Sequence, residues 1–305
     1  MRRARWAALA LLAAACAAGP TWRDDLAQVL VESRGRGHEL AVWFALPGLD
    51  RSDVMRGVLD EPAVLAALGE GDFAAVVCDG RERARLYGEW VGYGEGFGLA
   101  VLDANGRCYA ARPGPQDPAE LAAFLRQCRT ARRDLASLRA MVAQPTVAPM
   151  DQHMLGCRLL DLGALSAAEP LLLDAALGGV ADARHRLARL YATMGNLDAA
   201  RRWLRDVPWT PPARVSEGYV RFKERRWTDA VAAFEAALAQ PDERLGADRQ
   251  RALLYLGKAL HETGQDERAV PLLEALAREG TGSTFEAAAV HALGHVRGTA
   301  APHGH

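Results

Sequence analysis

The chain has 305 residues, which is long enough for two separate hydrophobic cores. Half of the residues are hydrophobic and a quarter are charged, a composition that excludes wholesale disorder. The formal net charge of -1 provides no broadly basic face, so we expect no nucleic-acid partner.

Residues 1–20 predict an export signal. Three arginines among the first five residues precede an apolar run, Trp6 to Ala15, that is too short to span a bilayer. The segment Leu12 to Cys16 resembles a bacterial lipobox, although Ala13 stands where leucine is usual. Two interpretations remain open: lipidation of Cys16, and ordinary cleavage to a soluble periplasmic protein. No later stretch is apolar enough to span a membrane, so we expect membrane attachment only through Cys16.

Residues 21–143 predict an α/β domain. Amphipathic spacing indicates its helices, whereas short and nearly continuous apolar runs indicate strands that are buried on both faces. The predicted helices cover 22–36, 50–59, 62–68 and 81–90, and the predicted strands cover 38–46, 73–78, 97–102 and 107–111. Asn105-Gly106 is a turn signal for a hairpin, and Asp117 with Pro118 predicts the start of a last helix.

This order of elements resembles the thioredoxin-like family. The resemblance is carried by Trp22 to Leu26, Glu39 to Phe44, Leu59 to Val64 and Val101 to Gly106. It implies a thioredoxin fold, in which two cysteines at a helix N-terminus form the reactive dithiol and a cis-proline faces them. Here Leu46 to Ser52 contains no cysteine, and Phe97 stands at the proline position. We therefore expect a domain that retains the fold without the redox activity.

Four cysteines follow Cys16, and none has the spacing of a redox motif or a zinc ribbon. They are Cys78, Cys108, Cys128 and Cys157. Cys78 ends a predicted buried strand and is interpreted as a core residue. An oxidising compartment would permit a disulfide between Cys108 and Cys128. Gly92 to Gly98 is rich in glycine, but it follows a helix and precedes a strand, so we favour a loop over the former active site to a nucleotide-binding loop.

Residues 144–150 contain two prolines and predict a linker, beyond which residues 151–298 have a helical pattern in which one motif recurs four times. Turns begin at Gly163, Gly195, Arg225 and Gly264. Seven residues before them stand Gly156, Ala188, Gly218 and Gly257, and five residues after them stand Ala168, Ala200, Ala230 and Ala269. The motif resembles the tetratricopeptide repeat, and the resemblance implies an all-α solenoid. We expect a capping helix at 284–296 and a disordered tail at 299–305.

The same resemblance implies that the first helices of the repeats line a concave groove that holds a protein or peptide partner. The candidate groove residues are His153, His185, Arg189, Tyr219, Lys223, Arg251, Lys258, His261 and Glu262. Their aromatic and cationic groups would suit an extended, partly acidic peptide. For each residue taken singly, a solvated helix face is an equally good interpretation.

His291 and His295 lie four residues apart on the last predicted helix, a spacing that could place two metal ligands on one face. No carboxylate or cysteine ligand stands near them in the sequence, so we favour a polar helix face. We predict no metal, no cofactor and no catalytic residue.

These features together predict a non-catalytic protein-binding or scaffold protein of the bacterial cell envelope. One alternative is a thiol-disulfide oxidoreductase or isomerase that uses a non-standard cysteine, Cys78 or Cys108. Another is a purely structural envelope lipoprotein.

Overall fold

The computed structural model describes residues 20–241, 245–246 and 248–299. Most of the predicted export signal, including Cys16, lies outside the described residues, as do residues 300–305 of the predicted tail. Within the described ranges, no helix combines the length and the apolar character that crossing a membrane requires.

The sheet domain (residues 21–143) contains a mixed five-stranded sheet with the strand order β1-β3-β2-β4-β5. Strands β1, β2 and β3 run parallel, β4 is antiparallel to β2, and β5 is antiparallel to β4. The strands are β1 (Trp22–Arg23), β2 (Glu39–Ala45), β3 (Phe73–Asp79), β4 (Gly98–Leu102) and β5 (Cys108–Pro113). The helices are α1 (Leu26–Arg36), α2 (Asp50–Leu59), α3 (Pro62–Gly71), α4 (Ala84–Trp90) and α5 (Pro118–Val142).

The sheet is covered on both faces, which explains the continuous apolar run of β2. Ala41 and Trp43 belong to the core under α2, α3 and α5, whereas Val42 and Phe44 belong to the core under α1 and α4. Successive side chains of a strand point to opposite faces, so a strand buried on both sides has no polar alternation.

The predicted helix at 22–36 is wrong at its start. Trp22 pairs with Ala75 of β3 in a short edge strand, and the helix begins at Leu26 after Asp25. The Asp25 carboxylate accepts a hydrogen bond of 2.9 Å from the Gln28 amide, which caps the helix. A strand of two residues has no periodicity that a sequence could reveal.

The disulfide considered between Cys108 and Cys128 is absent, since both cysteines are free in the structure. Cys108 packs with the core under α1 and α4, where its Sγ lies 3.3 Å from the Trp90 carbonyl oxygen. Cys128 lies in the core on the opposite face of the sheet. The sheet therefore separates the two thiols.

The helical repeats (residues 149–296) are a succession of helix pairs. The helices are α6 (Pro149–Asp161), α7 (Leu165–Leu177), α8 (Ala181–Thr193), α9 (Leu197–Leu204), α10 (Pro211–Lys223), α11 (Trp227–Leu238), α12 (Asp248–Glu262), α13 (Asp266–Glu279) and α14 (Thr284–Val296). The last of these has the bounds predicted for the capping helix.

The recurrent glycines are required by close helix packing within each pair. A Cβ atom on Gly156 would lie 2.8 Å from Leu172, and a Cβ atom on Gly218 would lie 2.7 Å from Phe234. A Cβ atom on Gly257 would likewise lie 2.7 Å from the Leu273 side chain. The partner stands sixteen residues after the glycine in each case, so the sequence motif corresponds to one repeated packing contact.

The repeats are joined to the sheet domain by backbone contact at the edge strand β5. The Ala111 amide donates a hydrogen bond of 2.9 Å to the carbonyl oxygen of Leu162, in the turn between α6 and α7. Gly163 follows with φ +80°, and any Cβ at this position would clash with the Ala111 carbonyl oxygen. At the other end, α14 packs against α5, so the repeats curve back onto the sheet domain.

We expect Gly218→Ala to lower the free energy of unfolding by about 1 kcal/mol. Overpacking against the buried Phe234 ring costs about 1–3 kcal/mol, which outweighs the gain of about 1 kcal/mol in helix propensity. Urea denaturation would measure the difference from the wild-type protein.

Gly57→Ala is the matched control, because Gly57 lies on α2 with no atom within 4 Å of the added Cβ. It should raise the free energy of unfolding by up to about 1 kcal/mol. Equal stabilisation by both substitutions would contradict the packing role of Gly218.

Candidate functional site

A cavity of about 510 Å³ lies between the sheet domain and the first helices of the repeats. We call it the interdomain cavity. Residues of α6, α8, α10 and α12 form its repeat side, residues of β5 and α5 form the opposite side, and residues 282–285 and 288 contribute from α14 and the turn before it. Three of the nine predicted groove residues, Arg189, Tyr219 and Arg251, line this cavity.

Arg189 and Arg251 belong to a cluster of buried charges, which we call the charge cluster. Arg189 contacts Asp161 at 2.6 Å and Asp248 at 3.2 Å. Arg251 contacts the same two carboxylates, at 2.8 Å and 2.6 Å, and Arg186 contacts Asp248 at 2.7 Å. The cluster joins α6, α8 and α12, which are distant in the sequence.

Electrostatics keep both carboxylates of the charge cluster ionised. Burial raises the pKa of Asp248, but the charges of Arg186, Arg189 and Arg251 outweigh burial and hold that pKa well below its ordinary value. Burial likewise opposes ionisation of Asp161, and the same arginines, Arg251 first, lower the pKa overall. The cluster contains three cations and two anions, so it keeps a surplus positive charge next to the cavity.

Sequence reasoning did not identify Asp161, Arg186 or Asp248. The sequence feature that could have identified them is a pair of charged residues three positions apart on one helix face. Arg186 with Arg189 is one such pair, and Asp248 with Arg251 is another. That spacing is common on solvated helices. Only the curvature of the repeats brings the two pairs together.

The aromatic and lysine residues of the predicted groove lie together on α10 and α12. The rings of Tyr219 and Tyr255 meet edge to face, 4.8 Å between centroids. Lys223 Nζ lies 5.7 Å from the centre of the Tyr219 ring, and Lys258 Nζ lies 5.7 Å from that of Tyr255. Within the described ranges, neither lysine forms an ion pair with a carboxylate, so both ammonium groups are available to an acidic partner.

The other predicted groove residues have different environments. His185 is buried, with Nδ1 3.0 Å from the Ser216 hydroxyl, so it cannot contact a partner without a change in helix packing. His153 is half-buried, with Nε2 3.6 Å from Cys157 Sγ. His261 Nδ1 lies 2.7 Å from Asp266, and Glu262 is exposed.

The segment Leu46 to Ser52, which contains no cysteine, forms a turn and the first residues of α2. The Leu46 amide donates to Ser52 Oγ at 2.8 Å. Arg51 forms an ion pair of 2.8 Å with Glu95 of the glycine-rich loop. This pair holds the loop against the N-terminus of α2.

The four described cysteines have thiols that are poorly suited to nucleophilic chemistry. Burial raises the pKa of Cys78 and Cys157 to about 11 and that of Cys108 to about 12, and it also raises the pKa of Cys128. Because the thiolate is the reacting species, these shifts leave very little reactive form at neutral pH.

His291 and His295 lie on α14 with their Nε2 atoms 3.0 Å apart. In the part of the chain that the structure describes, no group of three or more histidine, cysteine, aspartate or glutamate side chains could hold a metal ion. His303 and His305 lie outside the described residues.

Comparison with protein families gives a match in the centre of the repeats. Residues 180–207 match the family model of the tetratricopeptide repeat. The matched segment covers α8 and α9, so the chain contains a tetratricopeptide repeat among its helix pairs. No curated protein matches the chain.

We expect Asp248→Asn to lower the free energy of unfolding by about 3–5 kcal/mol, because it leaves three buried arginines with one carboxylate. The lowered pKa of Asp248 stabilises the fold above the unfolded-state pKa of about 4, and this stabilisation is lost as the pH falls below that value. Urea denaturation over a pH series should therefore show a weaker acid dependence in the variant than in the wild-type protein.

Asp198→Asn is the control, because the Asp198 side chain is 81% exposed in its 3.2 Å pair with Arg201. It should change neither the stability nor its acid dependence appreciably. Similar losses in both variants would show that the charge cluster has no special role.

Proposed function

We propose that this protein is a non-catalytic protein-binding or scaffold protein of the bacterial cell envelope. The tetratricopeptide repeat at residues 180–207 supports a role in protein–protein interaction. The observation that carries the proposal is the pair of lysines on α10 and α12, Lys223 and Lys258, which face aromatic rings and lack carboxylate partners in the described ranges. Such groups suit a partner segment that contains acidic residues.

We infer that the sheet domain is a thioredoxin-like domain without the dithiol. The strand order β1-β3-β2-β4-β5 and the mixture of parallel and antiparallel pairs support this assignment. The replacement of the dithiol by the turn at Leu46 to Ser52 supports a structural role.

Export to the envelope is part of the proposal and rests on residues 1–20, most of which lie outside the described residues. Their charged start, short apolar run and small residues before Cys16 are typical of a signal peptide. A lipid at Cys16 would be the membrane anchor.

Carbodiimide crosslinking, which condenses a carboxylate with an amine to form an amide, tests the partner surface with unusual selectivity, because Lys223 and Lys258 are the only lysines in the chain. Crosslinking in the cells of origin, followed by mass spectrometry, should join these two lysines to an acidic segment of one partner. The double variant Lys223→Gln and Lys258→Gln should lose both the crosslinks and the co-purifying partner.

The double variant Lys223→Arg and Lys258→Arg is the matched control, since it keeps the positive charges but removes the amines. It should lose the crosslinks and still co-purify with the partner. Co-purification that survives the glutamine variant unchanged would place the partner on another surface.

The thiols provide a separate test of the absence of redox activity. We expect all four described cysteines to react with iodoacetamide far more slowly than an unstructured cysteine, because burial raises their pKa. Reaction rates from mass spectrometry at neutral pH, compared with the rates in denaturant, would check this. Insulin reduction that depends on Cys78 or Cys108 would refute the non-catalytic proposal.

A further inference from the structure

We propose that the interdomain cavity binds a small organic carboxylate, an anion with an apolar body, whose charge pairs with Arg112. The cavity adjoins the lysine surface proposed for a protein partner, because Tyr219 and Tyr255 line the cavity and also face Lys223 and Lys258. Arg112, on the sheet domain, belongs to the cavity alone. The occupant of the cavity would bridge the sheet domain and the repeats.

Arg112 is exceptional among the arginines that line the cavity. Arg126 pairs with Glu70 at 3.0 Å, Arg158 pairs with Asp134 at 3.4 Å, and Arg189 belongs to the charge cluster. Arg112 is half-buried with its guanidinium 4.7 Å from the centre of the Phe124 ring. Among the described residues, none forms a hydrogen bond or ion pair with its side chain. A guanidinium in this environment can bind a carboxylate through two parallel hydrogen bonds.

The charged groups around the cavity carry a surplus of positive charge. Glu120 also lines the cavity and has no ion-pair partner in the described ranges. The arginines in the lining or in the charge cluster are Arg112, Arg126, Arg158, Arg186, Arg189 and Arg251. The carboxylates that line the cavity or pair with these arginines are Glu70, Glu120, Asp134, Asp161 and Asp248. Arg129 also contacts Glu70 at 3.9 Å, and Lys223 and Lys258 lie 5.7 Å from the rings of Tyr219 and Tyr255 in the lining. Positive groups therefore outnumber negative groups around the cavity, which favours an anionic ligand.

Several polar atoms at the cavity lack a protein partner. The hydroxyls of Tyr93 and Tyr255 form no hydrogen bond with a described residue, although both tyrosines line the cavity. Gln127 Oε1 and Arg158 Nε are buried without a partner. Buried polar groups are normally hydrogen-bonded, so these groups favour a polar ligand or ordered water in the cavity.

The rest of the lining is apolar and sets the character of the ligand. Leu160, Leu165, Leu254 and Phe285 contribute hydrocarbon surface next to the polar groups. The volume of about 510 Å³ lies within the range of roughly 300–1,000 Å³ that is typical of small-molecule sites. An inorganic ion would leave this apolar surface unused, so an organic anion fits better.

The test uses the full chain with 2-naphthoate as the anionic probe and 2-naphthamide as its neutral counterpart. Titration calorimetry and thermal unfolding should show saturable binding of 2-naphthoate, with little effect of 2-naphthamide. Arg112→Gln should weaken naphthoate binding by about tenfold or more, since a hydrogen-bonded charge pair is lost.

A second change in the cavity lining and a change outside it complete the test. Tyr255→Phe removes one hydroxyl but keeps the ring that packs against Tyr219, and it should weaken binding several-fold. Arg85→Gln is the control, because Arg85 is exposed and does not line the cavity, and it should leave binding unchanged.

Naphthoate binding that is undetectable below about 1 mM, or unchanged in Arg112→Gln, would overturn the proposal. So would equal binding of 2-naphthamide, or tighter binding of inorganic phosphate than of naphthoate. Arg112→Gln leaves both lysines and their aromatic neighbours in place, so failure of the cavity proposal can be distinguished from failure of the protein-partner proposal.

Discussion

The hydrogen bond between the edge strand β5 and the first turn of the repeats sets the arrangement of the whole molecule. The Ala111 amide donates to the Leu162 carbonyl, and Gly163 allows the two backbones to approach. An unpaired sheet edge exposes backbone groups that promote aggregation, and this contact covers part of that edge. It also seats the first helix pair on the sheet, so Arg112, the next residue of β5, becomes part of the cavity lining. The cavity thus follows from how the edge strand is covered.

The charge cluster depends on the curvature that begins at this contact. Asp161 ends α6 and Asp248 begins α12, yet Arg189 and Arg251 each contact both carboxylates. A buried ion pair adds little net stability relative to apolar packing, but loss of one partner leaves an uncompensated buried charge. A flatter stack of helices would separate α6 from α12 and incur that cost. We therefore interpret the cluster as a device that specifies the curvature of the repeats.

The parts of the fold that sequence predicted well are those determined by local physics. The Asn105-Gly106 turn, the Asp117 cap and the small residue Gly218 seven residues before a turn each involve neighbouring residues or one repeated packing unit. The parts that it missed are set by distant contacts. The strand at Trp22–Arg23 exists only because β3 offers an edge, and His185 is buried only because α10 packs over it. The partnership of Asp248 with α6 and α8 depends on the path of the chain after α11, which no repeat motif determines.

The glycines of the loop from Gly92 to Gly98 serve close backbone packing, although their spacing resembles that of a phosphate-binding loop. In the structure, this segment lies between α4 and β4 and contributes Tyr93 to the cavity. Gly94 has φ +86°, and a Cβ atom there would meet Pro113 at 2.5 Å. The Tyr87 hydroxyl donates to the Tyr93 carbonyl at 2.5 Å, and the Arg51–Glu95 pair holds the next residues against α2. The segment that packs against the N-terminus of α2 therefore also orients the Tyr93 phenol toward the repeats. The glycines of this segment are therefore explained by close backbone packing, and the segment contributes one side chain, Tyr93, to the cavity lining.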